Sequence, residues 1–388
     1  MFSSITQQFD VPSNRLYRLR DGLLRKKRRI VDLVSGNVNT QGIVFPQEIL
    51  AQAMRKGVEE SRVYRPDPLG QLSSRKAISR YYAAEGLAVP PGQLILTPGT
   101  SISYWYAFKL LADPGDDILC PTPSYPLFDT IAALSGIQVN HYKLKETTRW
   151  EIDFDQLRSV IGPRTKAIVL ISPHNPTGSV ATADEVKALA KLAEARGLAI
   201  IADEVFSPFL YGMERLPRPT ETSAPLVITL NGLSKMLALP GIKIGWMAVT
   251  GDPALVGKSI KSLEMISDAF LPVNEAAQFS VSGLLRHSAP FLKRYASEMQ
   301  SRLQVALEIL QGHKGISLIP PEGGFFLALR LEKAGADEEE IACRLLQKHG
   351  ILVHPGYFYD MEGQHLVFSF VSRPAVLRMA LQCLLREI

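Results

Sequence analysis

The sequence has few cysteines and no long apolar run. Its three cysteines, Cys120, Cys343 and Cys383, lie far apart and form no CxxC pair, which argues against a disulfide framework or a cysteine-rich metal site. No apolar segment approaches the roughly 20 residues that a membrane-spanning helix needs. The first residues, MFSSITQQFDV, lack the basic and apolar regions of a secretory signal. We therefore expect a cytoplasmic protein that does not span a membrane.

Excess positive charge is confined to one short segment. The net charge is +5, and the run Arg25-Lys26-Lys27-Arg28-Arg29 alone supplies five positive charges. Such a run is typical of a nucleic-acid or anionic-surface patch, and also of the solvated face of an N-terminal segment. The chain has no zinc-finger spacing, no RNP-type aromatic motif and no second basic stripe. We favour the solvated face and expect no nucleic-acid partner.

Length and composition are those of a globular enzyme with a full core. The chain has 388 residues, of which 46% are hydrophobic and 21% charged. From about residue 90 to 250, short apolar runs alternate with helical patterns, which is typical of βαβ units and a parallel sheet. The candidate strands are Gln93–Leu96, Asp117–Cys120, Lys166–Ser172, Leu198–Asp203, Val227–Asn231 and Trp246–Thr250.

The pattern changes to long helices after about residue 255. Near the end of the chain, Gly324–Leu329 and His365–Phe370 are candidate strands of a smaller α+β unit. We expect an α/β fold with a mostly parallel central sheet in a large domain at residues 46–285, and a smaller domain at 286–388. Residues 1–45 are expected to form an N-terminal arm that packs against the smaller domain.

One helix between the strands is well marked. Thr182 and Glu185 have the spacing of a capping box, in which each side chain accepts a hydrogen bond from the other residue's backbone. Apolar residues then recur on one face, and Gly197 has the position of a left-handed helix end. The spacing predicts a helix whose apolar stripe packs on the sheet.

Polar residues follow several of the predicted strands, where ligands bind in open α/β sheets. The turn at Gly99 leads into a helical pattern, whose first amides form an anion site. Asn175 follows a second strand, Asp203 ends a third, and Lys235 follows a fourth. Each signal alone is weak, since a strand-terminal acid is often a helix cap and a lysine is usually solvated. Together they suit a cofactor with a phosphate, a ring nitrogen and an aldehyde.

These motifs, in this order and spacing, resemble those of class I/II aminotransferases, which are pyridoxal-phosphate enzymes of fold type I. The resemblance covers nearly the whole chain. The segments that carry it are Tyr64 with Gly70, the Gly99 loop, Pro123-Ser124-Tyr125-Pro126, Ser172–Gly178, Asp203–Phe206, Ser234-Lys235, Pro240–Trp246 and Pro321–Phe326.

The resemblance implies a role for each residue around the cofactor ring. Lys235 would bind the aldehyde of pyridoxal phosphate as a Schiff base and shuttle protons once substrate displaces it. Asp203 would face the pyridine nitrogen and keep it protonated, so that the ring stabilises a carbanion at the substrate α-carbon. Asn175 would donate to the ring O3′ atom, and Tyr125 would stack on the pyridine face.

The resemblance also implies how the phosphate and the substrate are bound. The residues that would hold the phosphate are Gly99, Thr100, Ser101 and Lys243. Tyr64 would reach the phosphate of the neighbouring subunit, which implies a homodimer with shared sites. Gly36 falls in the N-terminal segment whose backbone contacts the substrate in the family.

Two departures from the family pattern lie in the cofactor pocket. Phe206 occupies the position, three residues after Asp203, where the family usually has a tyrosine whose hydroxyl contacts O3′. Asn175 would then be the only donor to O3′, which should raise the pKa of the Schiff base. Lys243 replaces the phosphate-binding arginine, so the charge is kept and the bidentate contact is lost.

Two further departures affect the phosphate and the substrate. Gly232 stands three residues before Lys235, where many relatives have a serine on the phosphate. Val367 stands where the family has the arginine that binds the substrate α-carboxylate. Either the alignment has slipped and Arg373 or another cation serves, or the enzyme holds its amino substrate in a different way.

We expect transamination between an amino acid, or a related amine, and a 2-oxo acid by a ping-pong mechanism. Val367 strengthens an alternative in which the same carbanion leads to elimination, decarboxylation or cyclisation. A regulator built on a degenerate fold of this kind would need an added DNA-binding domain, and too few residues precede the family-like segment for one. A nicotinamide dehydrogenase is disfavoured because no GxGxxG motif follows an early strand.

Overall fold

The structure is a computed structural model that describes residues 3, 5–6, 13–125, 127–332, 335 and 337–388. Pro126 and most of the predicted arm before residue 13 lie outside these ranges. The helices are α1 Arg15–Arg25, α2 Gln47–Glu60, α3 Leu72–Ala84, α4 Thr100–Leu111, α5 Leu127–Ser135, α6 Phe154–Val160, α7 Ala183–Arg196, α8 Leu233–Met236, α9 Pro253–Asp268, α10 Glu275–Arg286, α11 Ala289–Leu310, α12 Glu338–His349 and α13 Pro374–Glu387.

The strands alternate with these helices in the middle of the chain and follow them near its end. The strands are β1 Val31–Asp32, β2 Leu94–Thr97, β3 Asp117–Thr122, β4 Gln138–Glu146, β5 Trp150–Ile152, β6 Thr165–Ile171, β7 Ala199–Asp203, β8 Leu226–Gly232, β9 Gly245–Gly251, β10 Ile316–Leu318, β11 Phe326–Leu331, β12 Ile351–Leu352, β13 His354–Pro355 and β14 His365–Ser369. Short 3-10 helices cover Asn39–Gln41, Pro91–Gln93, Pro219–Glu221, Pro240–Ile242 and Gly356–Tyr359.

The predicted α/β fold with a mostly parallel central sheet is confirmed. Within the described residues, eight strands form the large sheet in the order β2-β9-β8-β7-β6-β3-β4-β5. Strands β4, β3, β6, β7 and β8 run parallel, while β9 is antiparallel to both β2 and β8, and β5 is antiparallel to β4. Strands β4 and β5 were not predicted, and the first candidate strand begins at Leu94 rather than Gln93 because residues 91–93 form a 3-10 turn.

The parallel strands are buried on both faces. On β7, Ile200 packs into one layer of helices and Ile201 into the opposite layer, as the two-residue repeat of a strand requires. Helix α7 covers the Ile200 side and has the predicted ends. Thr182 and Glu185 form the capping box, and Gly197 ends the helix with a φ of 64°. That helix prediction is therefore confirmed.

A smaller antiparallel sheet, in the order β10-β11-β14-β13, follows the long helices. It contains both strands predicted there, with β11 starting at Phe326 rather than Gly324. Val31 and Asp32 of β1 pair in parallel with Ile351 and Leu352 of β12, so this part of the N-terminal segment joins the C-terminal unit. The domain boundaries at residues 45 and 285 stay a prediction.

No helix in the described part of the chain is long and apolar enough to cross a membrane.

Candidate active site

A cavity of about 890 Å³ opens beyond the carboxyl ends of β6, β7 and β8. This is the edge at which the strand-end rule places ligands. Most of the predicted site residues line it. They are Gly36, Thr100, Ser101, Tyr125, Asn175, Asp203, Phe206 and Lys235. The structure therefore brings together residues that are up to about 200 positions apart in the sequence.

Lys235 presents a partly buried amine to this cavity. It lies in the short helix α8, which begins directly after β8. Burial lowers the pKa of the Lys235 amine, and the charge of Asp203 opposes that shift. A Cβ atom on Gly36 would lie 3.5 Å from both Lys235 Nζ and Phe326 Cζ. The glycine thus leaves the space in front of the amine open for a ligand.

Asp203 ends β7 with its side chain almost fully buried. The Tyr104 hydroxyl donates to Oδ2 at 2.8 Å, and the Val205 amide donates to Oδ1 at 3.0 Å. Burial raises the pKa of Asp203, while the Val205 amide, the Tyr104 hydroxyl and the charge of Lys235 lower it. The result is a buried carboxyl group whose orientation is fixed by two hydrogen-bond donors.

Asn175 and Phe206 flank the amine. The Oδ1 atom of Asn175 is buried, and no described residue donates a hydrogen bond to it. The Asn175 side chain lines the cavity. The centre of the Phe206 ring lies 5.8 Å from Lys235 Nζ, and the ring packs edge-on against Phe325. Phe206 adds no hydroxyl at this point.

Tyr125 stands on the open side of the cavity, with 46% of its surface exposed. An exposed aromatic ring at the mouth is available to stack on a planar ligand, which is the role that the resemblance gives it. The neighbouring Pro126, which belongs to the same motif, lies outside the described residues.

The Gly99 turn forms the anion-binding end of the site. Gly99 has φ 128° and ψ 163°, a conformation that glycine adopts far more readily than other residues. Helix α4 starts at Thr100, so Thr100 and Ser101 occupy its first turn and line the cavity. First-turn amides have no partner within a helix and attract anions such as a phosphate.

Gly245 brings β9 against this turn. A Cβ atom on Gly245 would lie 3.0 Å from the Gly99 backbone and from Thr97 Oγ1, which is a closer approach than a side chain allows. Lys243, two residues earlier, is therefore held near the turn, although it does not line the cavity itself. Its backbone is left-handed, with a φ of 56°.

Gly232 has a physical explanation that the sequence does not give. A Cβ atom at this position would lie 2.8 Å from the Ile244 carbonyl oxygen and 3.0 Å from the Gly245 Cα atom. The close approach of β8 to β9 thus excludes the serine that many relatives would place here.

Tyr64 is not brought to Lys235 within one chain. Its side chain is 70% exposed and lines a separate cavity of about 370 Å³, together with Leu271 and Asn274. Gly99, Lys243 and Tyr64 are thus the three predicted residues that do not line the cavity around the Lys235 amine.

Neither Val367 nor Arg373 is among the described residues that line the cavity. Val367 is buried in a cluster with Trp150, Ala328, Tyr359 and Met361, and it does not itself line the cavity, although Tyr359 does. Arg373 does not line the cavity either, and its guanidinium lies beside Gly42. The suggestion that Arg373 takes over the substrate carboxylate is therefore not supported.

Sequence reasoning missed several residues of the cavity wall. Tyr104 carried a usable signal, because it stands one helical turn after Thr100 and so shares its face of α4. The others carried none, since they come from segments far apart in the chain. They include Asn14, Tyr17, His354, Tyr357, Phe358 and Tyr359.

The donor set fits pyridoxal phosphate. An amine whose pKa burial lowers suits an aldehyde, and a buried carboxyl group suits a ring nitrogen. The Asn175 side-chain amide lines the cavity, and its NH2 group suits a ring oxygen. The first turn of α4 suits a phosphate. The residues present would therefore hold the cofactor that the resemblance implies.

Comparisons with known proteins agree with this geometry. The family model described as aminotransferase class I and II matches residues 28–382. The glutamate-pyruvate aminotransferase AlaA of Escherichia coli (strain K12) is 30% identical over 380 residues, covering 94% of this chain and 92% of that protein. The solved structure of alanine aminotransferase from Pyrococcus furiosus superimposes with a TM-score of 0.92 at 25% identity, covering 100% of this chain and 99% of that one.

Proposed function

Since the chain belongs to the class I and II aminotransferase family, we propose that Lys235 and Asp203 carry its chemistry. The protein is a pyridoxal-phosphate-dependent aminotransferase, which transfers an amino group between an amino acid and a 2-oxo acid. The observation that supports these two residues most directly is the partly buried Lys235 amine, which faces the cavity with its pKa lowered by burial.

Pyridoxal phosphate, when bound, supplies an aldehyde that captures the substrate amine and a ring that takes up the electron pair of the α-carbon. Lys235 Nζ accepts the proton from the α-carbon of the amino donor, because burial favours its neutral, basic form. In the second half-reaction it returns a proton to the α-carbon of the new amino acid. Asp203, held by Tyr104 and Val205, keeps the facing ring nitrogen protonated.

The remaining residues position the reacting groups. Asn175 would donate to the ring oxygen, and Tyr125, at the mouth of the cavity, would cover one face of the ring. Thr100 and Ser101 would bind the phosphate at the first turn of α4, and Lys243, which follows the 3-10 helix Pro240–Ile242, would supply positive charge. Gly36 leaves the substrate room beside Lys235 Nζ.

Kinetics and absorption test the proposal together. Initial rates at varied donor and acceptor should give the parallel lines of a ping-pong mechanism. Lys235→Ala should abolish both transamination and the visible absorption of the bound cofactor, whereas Lys258→Ala, on the exposed side of α9, should change neither. A sequential rate pattern, or release of ammonia or carbon dioxide without an acceptor, would contradict transamination.

We further propose a homodimer in which Tyr64 reaches the partner's phosphate. The exposed position of Tyr64, next to the exposed Val63 and beside a cavity that includes Leu271, supports a contact with a second copy. Mixing Lys235→Ala with Tyr64→Ala chains, after dissociation and reassociation, should restore about a quarter of the wild-type sites, since only hybrid dimers hold one complete site. No recovery in hybrids verified by mass spectrometry would exclude the shared site.

We propose a cytoplasmic location, supported by the free thiols of Cys120, Cys343 and Cys383, which suit a reducing compartment. Cell fractionation tests this location.

A further inference from the structure

One side of the cavity is built from aromatic rings. This aromatic wall consists of Tyr17, Phe326, His354, Tyr357, Phe358 and Tyr359. Phe358 is its centre, because it stacks on Tyr17 at 6.2 Å and packs against His354 and Tyr357 at 4.8 Å each, between ring centres. The rings come from α1, from the start of β11, from β13 and from the 3-10 helix that follows β13, so the wall depends on the tertiary fold.

The wall is held by hydrogen bonds between neutral groups. His354 Nε2 and the Tyr17 hydroxyl are 2.8 Å apart, and His354 Nδ1 and the Tyr359 hydroxyl are 2.9 Å apart. Both ring nitrogens are thus already paired. Burial lowers the pKa of His354 to about 4, so the imidazole is neutral near pH 7. The wall offers an approaching ligand apolar ring surface. The Arg20 guanidinium lies 4.2 Å from the centre of the Tyr17 ring, but it pairs with Asp21 and does not line the cavity.

The rest of the cavity adds little positive charge. Among the described residues that line it, Lys235 is the only lysine or arginine, and the cofactor occupies its amine. A substrate with a carboxylate on its side chain would lose hydration on entering, and among the described lining residues it would find no lysine or arginine other than Lys235. An uncharged aromatic side chain would instead gain from edge and stacking contacts with the wall.

We propose, on the basis of the aminotransferase function above, that the preferred amino donor carries an uncharged aromatic side chain that packs on the aromatic wall. The α-carboxylate is common to the amino acids compared below, so it cancels in a comparison of side chains. Because donor and acceptor use the same cavity in a ping-pong reaction, the preferred 2-oxo acid is likewise one without a second carboxylate.

Single-turnover kinetics of the holoenzyme test this preference. The second-order rate constant for L-phenylalanine should exceed that for L-glutamate by about 100-fold or more, since an unpaired charge is costly to bury. Phe358→Ala should lower the constant for phenylalanine by about tenfold and leave that for L-alanine nearly unchanged. Leu255→Ala, exposed on α9, is the matched control and should alter neither.

Binding without turnover gives a second readout. Calorimetry on the holoenzyme should find 3-phenylpropanoate bound about tenfold more tightly than glutarate, and Phe358→Ala should remove that difference. Should Phe358→Ala fail to fold, Tyr357→Ala replaces it, because Tyr357 is 44% exposed and its removal leaves the core intact. Tighter binding of glutarate, or faster reaction of glutamate, would overturn the inference.

These outcomes are separable from a failure of the proposed function. Cofactor absorption that needs Lys235, together with a preference for glutamate, would overturn only the aromatic donor. Absence of transamination with every amino acid tested, in a protein that binds the cofactor, would overturn the proposed function itself.

Discussion

The phenolic hydroxyl of Tyr104 donates a hydrogen bond of 2.8 Å to Oδ2 of Asp203, and both side chains are buried. The second carboxylate oxygen accepts from the Val205 amide. Asp203 therefore has a fixed orientation and two donors that stabilise its charged form against the effect of burial. Tyr104 is a positioning residue, since it acts on the cofactor ring through Asp203.

Removing this hydroxyl should weaken the acid that faces the ring. In Tyr104→Phe, Asp203 loses a donor to its charged form, so its pKa should rise. The acid limb of the pH profile of kcat/KM should then move to higher pH, and kcat/KM should fall about tenfold at neutral pH. Tyr142→Phe is the control, because that hydroxyl donates to the Val169 carbonyl instead. Identical acid limbs in wild type and Tyr104→Phe would contradict this role.

Substitutions at Phe206 and Asn175 should shift the pH midpoint of the visible absorption in opposite directions. Phe206→Tyr adds a hydroxyl near Lys235 Nζ, whereas Asn175→Ala removes an amide that faces the cavity. A donor to the ring oxygen favours its anionic form, so the pH midpoint of the visible absorption change should fall in the first variant and rise in the second. We expect shifts of about one pH unit, measured by spectrophotometric titration. Shifts of the same sign would rule out the assignment.

Lys243 should contribute to cofactor affinity through charge alone. Lys243→Ala should raise the dissociation constant of pyridoxal phosphate about tenfold, because one charge-assisted contact is lost. Lys243→Arg should lower it, since a guanidinium binds phosphate with two parallel hydrogen bonds. Fluorescence titration of the cofactor-free enzyme measures both constants, with Lys258→Ala as the surface control. Equal constants in all four proteins would place Lys243 away from the phosphate.

The buried His354 should make stability fall in acid. Its pKa is lowered from 6.5 to about 4 by burial and by Arg20, against the opposing charge of Asp32. Between these values the unfolded chain binds a proton that the folded chain does not. Above pH 6.5 His354 is neutral in both states and does not lower the free energy of unfolding. As pH falls from 6.5 towards 4, proton binding by the unfolded chain lowers that free energy progressively.

The magnitude follows from the size of that shift. Between pH 7 and 4.5, the free energy of unfolding should fall by about 2 kcal/mol more in wild type than in His354→Gln, as measured by urea titration. His174, whose pKa burial lowers to about 3, is present in both proteins and cancels in the difference. Parallel pH dependences would show that His354 does not titrate in this way.

The sequence was sufficient to locate the chemistry, because strand ends in an α/β sheet meet at one edge. That rule predicts that Asn175, Asp203 and Lys235 lie together, and all three line the same cavity. The helix at Thr182 was predictable because its signals are local in sequence. Both successes rest on rules that need only neighbouring residues or strand order.

The rest depended on contacts that no local rule supplies. Tyr17 and His354 are 337 residues apart, and their contact exists only because α1 packs beside the C-terminal unit. Strand β4 was not predicted because Gln138–Glu146 is mostly polar. Its strand conformation depends on hydrogen bonds with β3, which its composition does not indicate. Tertiary packing, rather than propensity, decides such segments.

The contact between Gly232 and the Ile244 carbonyl oxygen has an evolutionary consequence. With only 2.8 Å available for a Cβ atom, a serine at this position cannot arise by a single tolerated substitution. Its fitness would depend on a prior change in the spacing of β8 and β9, so positions 232 and 244–245 should covary among descendants of this chain. A serine contact with the phosphate from position 232 would therefore require a change in the neighbouring strand first.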